Sequence, residues 1–483
     1  MVNMDKQATD AKVRAGLPFS HRWHNRFHLE MPFGLINDPN GLAYFNGEYH
    51  IFFQWNPLAC EHKNKSWAHT KTADFVNYAA PELAMWPTDA HDKDGCYSGC
   101  GFVDDDKLRI FYTCNAKDEN GIRTPAQRLG TFANGAIRKE EIAVPDSAKG
   151  YTGHFRDPYV FWRHGRKYFV LGAQTKDERG TAVIYREDKD GWTLMGELKT
   201  ELTAQNKKFG YMWECPGLMN FGDRDVLTFC PQGLEAEDFR YQNIYQSGYL
   251  VGHLSLDSME FYHGEFVELD RGFDFYAPQV FNNADRHILL GWMGMPDKDA
   301  EYPTAREGWL YSLTLPRELT LKQGHIYSAP VKEIESLRKS DTVKRICGQN
   351  LREVEIDLAK GSEVEFDLIF GAARKIEFSL SYGEEKLAFR YERDTQVMEI
   401  DRSGMKLGGR GSRRFKLYAD DRLQARILID RAAVETFFQQ GEEAASLLIF
   451  PAKDVSPKFT LSSDANFASI DGNAWELDGF NFN

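Results

Sequence analysis

The 483-residue chain has no apolar run near the ~18 residues needed to cross a bilayer. Its opening stretch, MVNMDKQATDAKVRAG, lacks the apolar segment of a secretory signal, so a cytoplasmic protein is expected, with residues 1–20 as an N-terminal extension. Cysteine is scarce. Seven residues (Cys60, Cys96, Cys100, Cys114, Cys215, Cys230, Cys347) are too few, too scattered and odd in number for a disulfide framework. Cys96 and Cys100 have neither a second pair nor a convincing His beside them, so no metal site is expected. Positive charge is in deficit: Lys and Arg number 59 against 72 Asp and Glu, a net −13. That excludes a general nucleic-acid or anionic-membrane binder, while leaving room for a local basic pocket. No Gly-rich nucleotide loop appears, and no cofactor is expected. Helical periodicity beyond two turns is nearly missing before residue 330.

What is plentiful is glycine, at 40 residues, and aromatic side chains, at 13%. Both suit turn-rich β-structure with ring-lined surfaces. Five segments share a polar entry followed by an apolar run: EYHIFFQW, LRIFYTC, KYFVLGA, DVLTFC and HILLGWM, starting at Glu48, Leu108, Lys167, Asp225 and His287. The starts lie 60, 59, 58 and 62 residues apart, and each follows a shorter strand and a turn. Five such units predict an all-β chain with a five-bladed β-propeller over residues 21–325. A long β-sandwich with accidental spacing is the competing reading. A linker is expected at 326–340, where VKEIESLRKS reads as a short helix or connector. Segments such as SEVEFDLIF and KIEFSLSY then alternate apolar and polar residues, predicting a C-terminal β-sandwich over 341–483.

Counting back eleven or twelve residues from the repeated strands reaches Asp38, Ser98, Asp157, Glu214 and Ala277. On a propeller these positions face one axis, so three carboxylates separated by up to 176 residues converge. Each has a bland explanation: Asp-Pro-Asn-Gly is a common turn, and Asp157 beside Arg156 is an ordinary ion pair. Three at one repeat position point to a site. Paired carboxylates are what glycoside hydrolysis requires. Asp38, in a turn with backbone N–H groups nearby, suits the nucleophile. Glu214, beside Trp213, is expected to have a raised pKa and to act as proton donor. Asp157 remains an anion that binds hydroxyls and stabilises positive charge. Trp55, Trp67, Tyr97 and Trp292 are candidate platforms for sugar faces.

The motifs Asn37-Asp38-Pro39-Asn40-Gly41, Arg156-Asp157-Pro158 and Glu214-Cys215-Pro216, in this order, resemble the β-fructofuranosidase (invertase-type) glycoside hydrolases, family 32, along almost the whole chain. The resemblance implies a five-bladed propeller with a C-terminal sandwich, and retaining hydrolysis of β-fructosides through a fructosyl-enzyme. It implies Asp38 as nucleophile, Asp157 as transition-state stabiliser and Glu214 as acid/base. Asn37, Gln54, Tyr97, Ser98, Arg156 and Trp292 would hold the fructosyl unit. FQWNPLACEHKNKSWAH, DGCYSG and GYTGHFRDP resemble the intracellular branch that acts on sucrose 6-phosphate. His62 stands where many relatives have Trp. With Lys63 and Lys65 it is a candidate for reading a 6-phosphate, as are Arg240 and Arg306; a solvated charge run is the alternative. The expected partner is a small sugar substrate, and a homo-oligomer is left open. Invertase or exo-fructanase activity on unphosphorylated substrates is the runner-up, and a non-catalytic carbohydrate-binding propeller is the reading from another class.

Overall fold

The computed structural model describes residues 4–483, apart from the Asn206 side chain, so the first three residues of the expected N-terminal extension lie outside the described residues. Helix Lys6–Ala15 starts at Asp5, whose carboxylate accepts the Ala8 N–H. Its Asp10 accepts the Leu83 N–H and the Lys6 ammonium, tying the helix to the first sheet.

The chain is all-β. Each repeated segment forms the second strand of an antiparallel sheet, paired with a preceding inner strand: Gly34–Phe45, Cys96–Asp104, Tyr151–Arg163, Met212–Asn220 and Tyr276–Val280. Each inner strand packs against the next, and the last packs against the first. Ala43 and Asn282 bridge that closure directly. The result is a propeller-like ring of sheets. Neighbouring inner strands approach so closely that a Cβ on Gly101 would strike the Gly41 backbone, and Gly41 itself has a φ of +58°. Glycine is the residue that permits both.

Every inner strand carries a β-bulge at the same place. The pairing register shifts by one residue between Ile36 and Pro39, Cys96 and Gly99, Arg156 and Tyr159, Glu214 and Gly217, and Tyr276 and Gln279. Two residues on the inner strand therefore face one on its partner, and the regular alternation of side chains breaks. Asp157, Cys215 and Ala277 each stand first in their bulge with φ of +69°, +48° and +48°. All three precede proline, which disfavours that conformation, so the surrounding sheet holds them in it. The bulge also separates Cys96 from Cys100: Cys96 packs in one core beside Trp67, Cys100 in another beside Phe111.

Strand His325–Pro330 pairs with Arg317–Lys322 and extends the last ring sheet past residue 325 into the segment expected as a linker. Lys332–Leu337 follows as a short 3-10 helix that buries Ile334 and Leu337. The C-terminal strands form the expected sandwich, in a ten-stranded arrangement. Its long strand Lys458–Glu476 pairs with Lys375–Tyr382 through Lys458–Ser463, and with Ser362–Ile369 through Ser469–Glu476. One strand thus serves both layers around a core containing Phe366, Phe378, Phe389 and Phe459. Asn481–Phe482 returns to pair with Asn77–Tyr78 of the first ring sheet.

Candidate active site

The bulges decide how the three carboxylates meet. They do not share one register position, as the repeat count suggested. Glu214 immediately precedes its bulge, Asp157 is the first bulge residue of its strand, and Asp38 is the second. A bulge re-aims consecutive side chains, so three successive positions taken from three strands reach one site. The equivalent of Glu214 in the last sheet is Tyr276, one residue before the Ala277 that counting reached. Its hydroxyl donates to Glu214 Oε2 at 2.6 Å. Tyr276 was the residue that sequence reasoning missed by a single position.

Asp38 lies in a strand rather than a turn, and side chains rather than backbone N–H groups hold it. Asn37 Nδ2 donates to Asp38 Oδ1 at 2.9 Å, and Ser98 Oγ donates to Oδ2 at 2.5 Å. Gln54 closes the ring, accepting from Asn37 at 2.7 Å and donating to Ser98 at 2.8 Å. Lys65 is buried and donates to Asn37 Oδ1 at 2.5 Å. Burial brings the Lys65 ammonium down to about 8, against the opposing pull of Asp38, Asp299 and Glu214.

Glu214 is gripped more tightly. Arg156 donates to Oε1 through Nε at 3.0 Å and Nη2 at 2.6 Å, while Gln232 donates to Oε2 at 2.6 Å. Burial alone would raise its pKa, but Arg156 and Tyr276 hold the carboxyl below the usual value. The raised pKa expected from Trp213 is therefore corrected. Trp213 sits next in sequence but packs on Phe229, and Glu214 meets donors instead. Asp157 behaves in the opposite way. Burial pushes it up to about 7, with Glu214 and Asp38 adding to the rise and Arg156 opposing it. Its one backbone donor is the Cys215 N–H, 3.0 Å from Oδ2.

The aromatic platforms are mostly interior. Trp55 and Trp67 are fully buried, and their indole N–H groups donate to the Phe33 and Tyr97 carbonyls. Trp292 is also buried, packed edge-on against His62 and Tyr311. Only Tyr97, on the inner strand Cys96–Asp104, is half-exposed; Trp55 and Trp292 lie on second strands and Trp67 on the third strand Ser66–Thr72. His62 lies between Lys65, 2.9 Å from Nδ1, and Asp299, 3.3 Å from Nε2. Lys63 pairs with Glu61 and Arg240 with Glu237, so these cations are engaged locally. Arg306 is exposed on the short helix Thr304–Glu307.

A cluster of three carboxylates, with Asp38 fixed in a hydrogen-bond ring, Glu214 held as the anion by its donors and Asp157 pushed toward neutrality, is what a glycoside hydrolase needs. Comparison with known proteins names the family. Residues 28–330 match the glycosyl hydrolases family 32 N-terminal domain, and residues 333–476 match the family 32 C-terminal model. A sucrose-6-phosphate hydrolase of Bacillus subtilis (strain 168) is 38% identical over 89% of this chain and 89% of its own length. One from Klebsiella pneumoniae is 37% identical, covering 88% of each. Among solved structures, a sucrose-6-phosphate hydrolase from Lactobacillus gasseri superposes with a TM-score of 0.87 at 30% identity, covering 99% of this chain and 97% of that one. A Bombyx mori GH32 beta-fructofuranosidase does so with a TM-score of 0.86 at 25% identity, over 99% and 98%. The chain belongs to glycoside hydrolase family 32.

Proposed function

We propose that this enzyme hydrolyses the β-fructofuranosyl bond of sucrose 6-phosphate, and sucrose less efficiently, giving fructose and glucose 6-phosphate with retention. The observation that carries the reading is the convergence of Asp38, Asp157 and Glu214 through the bulges, in a chain whose relatives are named for that substrate. We read the sheets of the ring as five propeller blades, one for each inner strand, followed by the sandwich as a second domain.

Asp38 is the nucleophile. The hydrogen-bond ring through Asn37, Gln54 and Ser98 fixes its carboxylate, so little reorganisation is needed at attack. The bond from the anomeric carbon to the leaving oxygen breaks, Glu214 gives its proton to that oxygen, and an ester forms on Asp38. Water, giving its proton to Glu214, then attacks the anomeric carbon; the bond from that carbon to the Asp38 oxygen breaks, releasing fructose and the free Asp38 carboxylate. Glu214 is held as the anion before substrate enters; filling the pocket displaces water, and the added desolvation raises its pKa toward the acid role. Asp157 binds fructosyl hydroxyls, and its anionic form is favoured as positive charge develops on the ring. Asn37, Gln54, Tyr97, Ser98 and Arg156 surround the fructosyl unit; Trp67, Trp292 and His62 support that shell from behind.

Comparing kcat/KM on sucrose 6-phosphate and on sucrose tests the substrate. A clear preference for the phosphorylated sugar is expected. A ratio near one, or a preference for unphosphorylated fructan, would transfer the assignment to an invertase or exo-fructanase.

A further inference from the structure

A phosphorylated substrate needs a cation at the far side of the leaving group, and the cations nominated from sequence are largely engaged elsewhere. Lys65 is turned inward onto Asn37, and His62, Lys63 and Arg240 each face a carboxylate. A different pair is left without an ion-pair partner among the described residues: Arg123 and Lys117. They stand directly opposite one another across the strands Lys107–Lys117 and Arg123–Ala133. Two like charges at facing positions destabilise a sheet unless an anion lies between or beside them.

Their placement relative to Glu214 is specific. Arg156, which grips Glu214, also donates to His154 Nδ1 at 2.8 Å. Burial and the charges of Arg156 and Arg123 lower His154 to about 4, so it is neutral, and Nε2 carries the remaining N–H. Arg123 begins its strand against Gly153, whose Cα has no room for a side chain beside the Arg123 carbonyl. The Arg123 guanidinium lies 5.3 Å from the centre of the Tyr97 ring, with Nη2 3.5 Å from its hydroxyl. Glu214, Arg156, His154 and Arg123 therefore form a succession leading from the proton donor outward, on the side where the leaving group must sit.

Resting on the substrate reading above, the geometry points to Arg123, aided by Lys117 and the His154 N–H, as the subsite for the phosphomonoester on the leaving sugar. A guanidinium presents paired donors to phosphate oxygens, and its contacts with the Tyr97 ring and hydroxyl restrain it. The half-exposed position keeps desolvation small while the anion is absent.

The test is the specificity ratio, kcat/KM on sucrose 6-phosphate over kcat/KM on sucrose, measured in wild type, Arg123→Gln, Arg123→Lys, Lys117→Gln and Arg306→Gln. Arg123→Gln should lower the ratio by about 10- to 100-fold, the span expected for a hydrogen bond to a charged group. Arg123→Lys should recover part of it, Lys117→Gln should lower it by about threefold to tenfold, and Arg306→Gln should leave it unmoved. Glucose 6-phosphate should inhibit wild type better than glucose, and Arg123→Gln should abolish that difference. A high wild-type ratio retained in Arg123→Gln, or lost instead in Arg306→Gln, overturns the subsite alone. An equal loss on both sugars assigns Arg123 a structural role and also overturns it. A wild-type ratio near one overturns the substrate reading, and the subsite with it.

Discussion

The buried charges at the ring–sandwich seam and those at the candidate active site are built differently. At the seam between the ring and the sandwich, Arg317 pairs with Asp270 and Glu435, His28 lies between Asp430 and Glu435, and Arg402 pairs with Asp274. Each carboxylate there has several donors. Asp430 accepts the Arg26 and Phe27 N–H groups as well as His28, and Asp270 accepts the Gly272 and Ser446 N–H groups as well as Arg317. Burial would lower the His28 pKa, but its bonds to Asp430 and Glu435 raise it to about 9. In the active site, by contrast, Asp157 has few donors and two anionic neighbours. Dense pairing, from which only the Nε of Arg402 is left out among these groups, ties the ring to the sandwich; sparse pairing leaves a carboxylate whose charge the substrate can alter. A buried charge is structural when its neighbours satisfy it and chemical when they do not.

The largest effect should come from removing the proposed nucleophile. Asp38→Ala is expected to reduce turnover by at least about 10⁴-fold, with the melting temperature nearly unchanged, because Gln54 still bridges Asn37 and Ser98. Initial rates and a thermal melt check both halves. Glu214→Gln should cost about 10²- to 10⁴-fold and remove the basic limb of the pH–rate profile, since the protonated Glu214 is the proposed acid. A still-active variant with the wild-type profile would refute that role.

At the seam the contrast should invert. Glu435→Gln leaves Arg317 and His28 short of a charge, and is expected to destabilise by about 3–5 kcal/mol while sparing kcat at temperatures where the protein stays folded. His28 adds a pH signature. Its folded pKa lies above the unfolded value of 6.5, so its stabilisation is full below that value and is lost as pH rises through about 9. Denaturation measured across that window should show the decline, and His28→Gln should flatten it. Asp157→Asn should shift stability in the opposite direction to Glu435→Gln, and by less. The raised pKa means that folding is opposed increasingly as pH rises from 3.8 through about 7. The variant should therefore gain about 2–4 °C in melting temperature over wild type at pH 8, and much less at pH 4, even as activity is lost. An equal gain at both values would show that Asp157 is not held against its charge.

The ring of sheets was legible because the apolar strand segments recur near every 60 residues and turn signals punctuate them. The sandwich was legible because strands buried on one face must alternate. The fold brings the three carboxylates together, but not at the single register position that counting gave them. Counting assumes an uninterrupted strand, and a bulge adds a residue that leaves no mark in hydrophobic pattern. That single offset hid Tyr276 behind Ala277. The same lack of three-dimensional context made Glu214 look apolar beside Trp213, although its side chain meets Arg156, Tyr276 and Gln232.

Composition and period alone therefore determined the all-β class and the repeated sheets, and singled out three carboxylates that the fold brings together, since these depend on local pattern. Tertiary structure decided the direction of each pKa shift, the burial of Trp55, Trp67 and Trp292, and which cations were left free. Those properties belong to neighbours tens to hundreds of residues away, and only folding brings them within the few ångströms over which hydrogen bonds and desolvation act. The scarcity of positive charge in the sequence thus acquires a location: the seam and the inner site use most of what they hold, and Arg123 stands outside both.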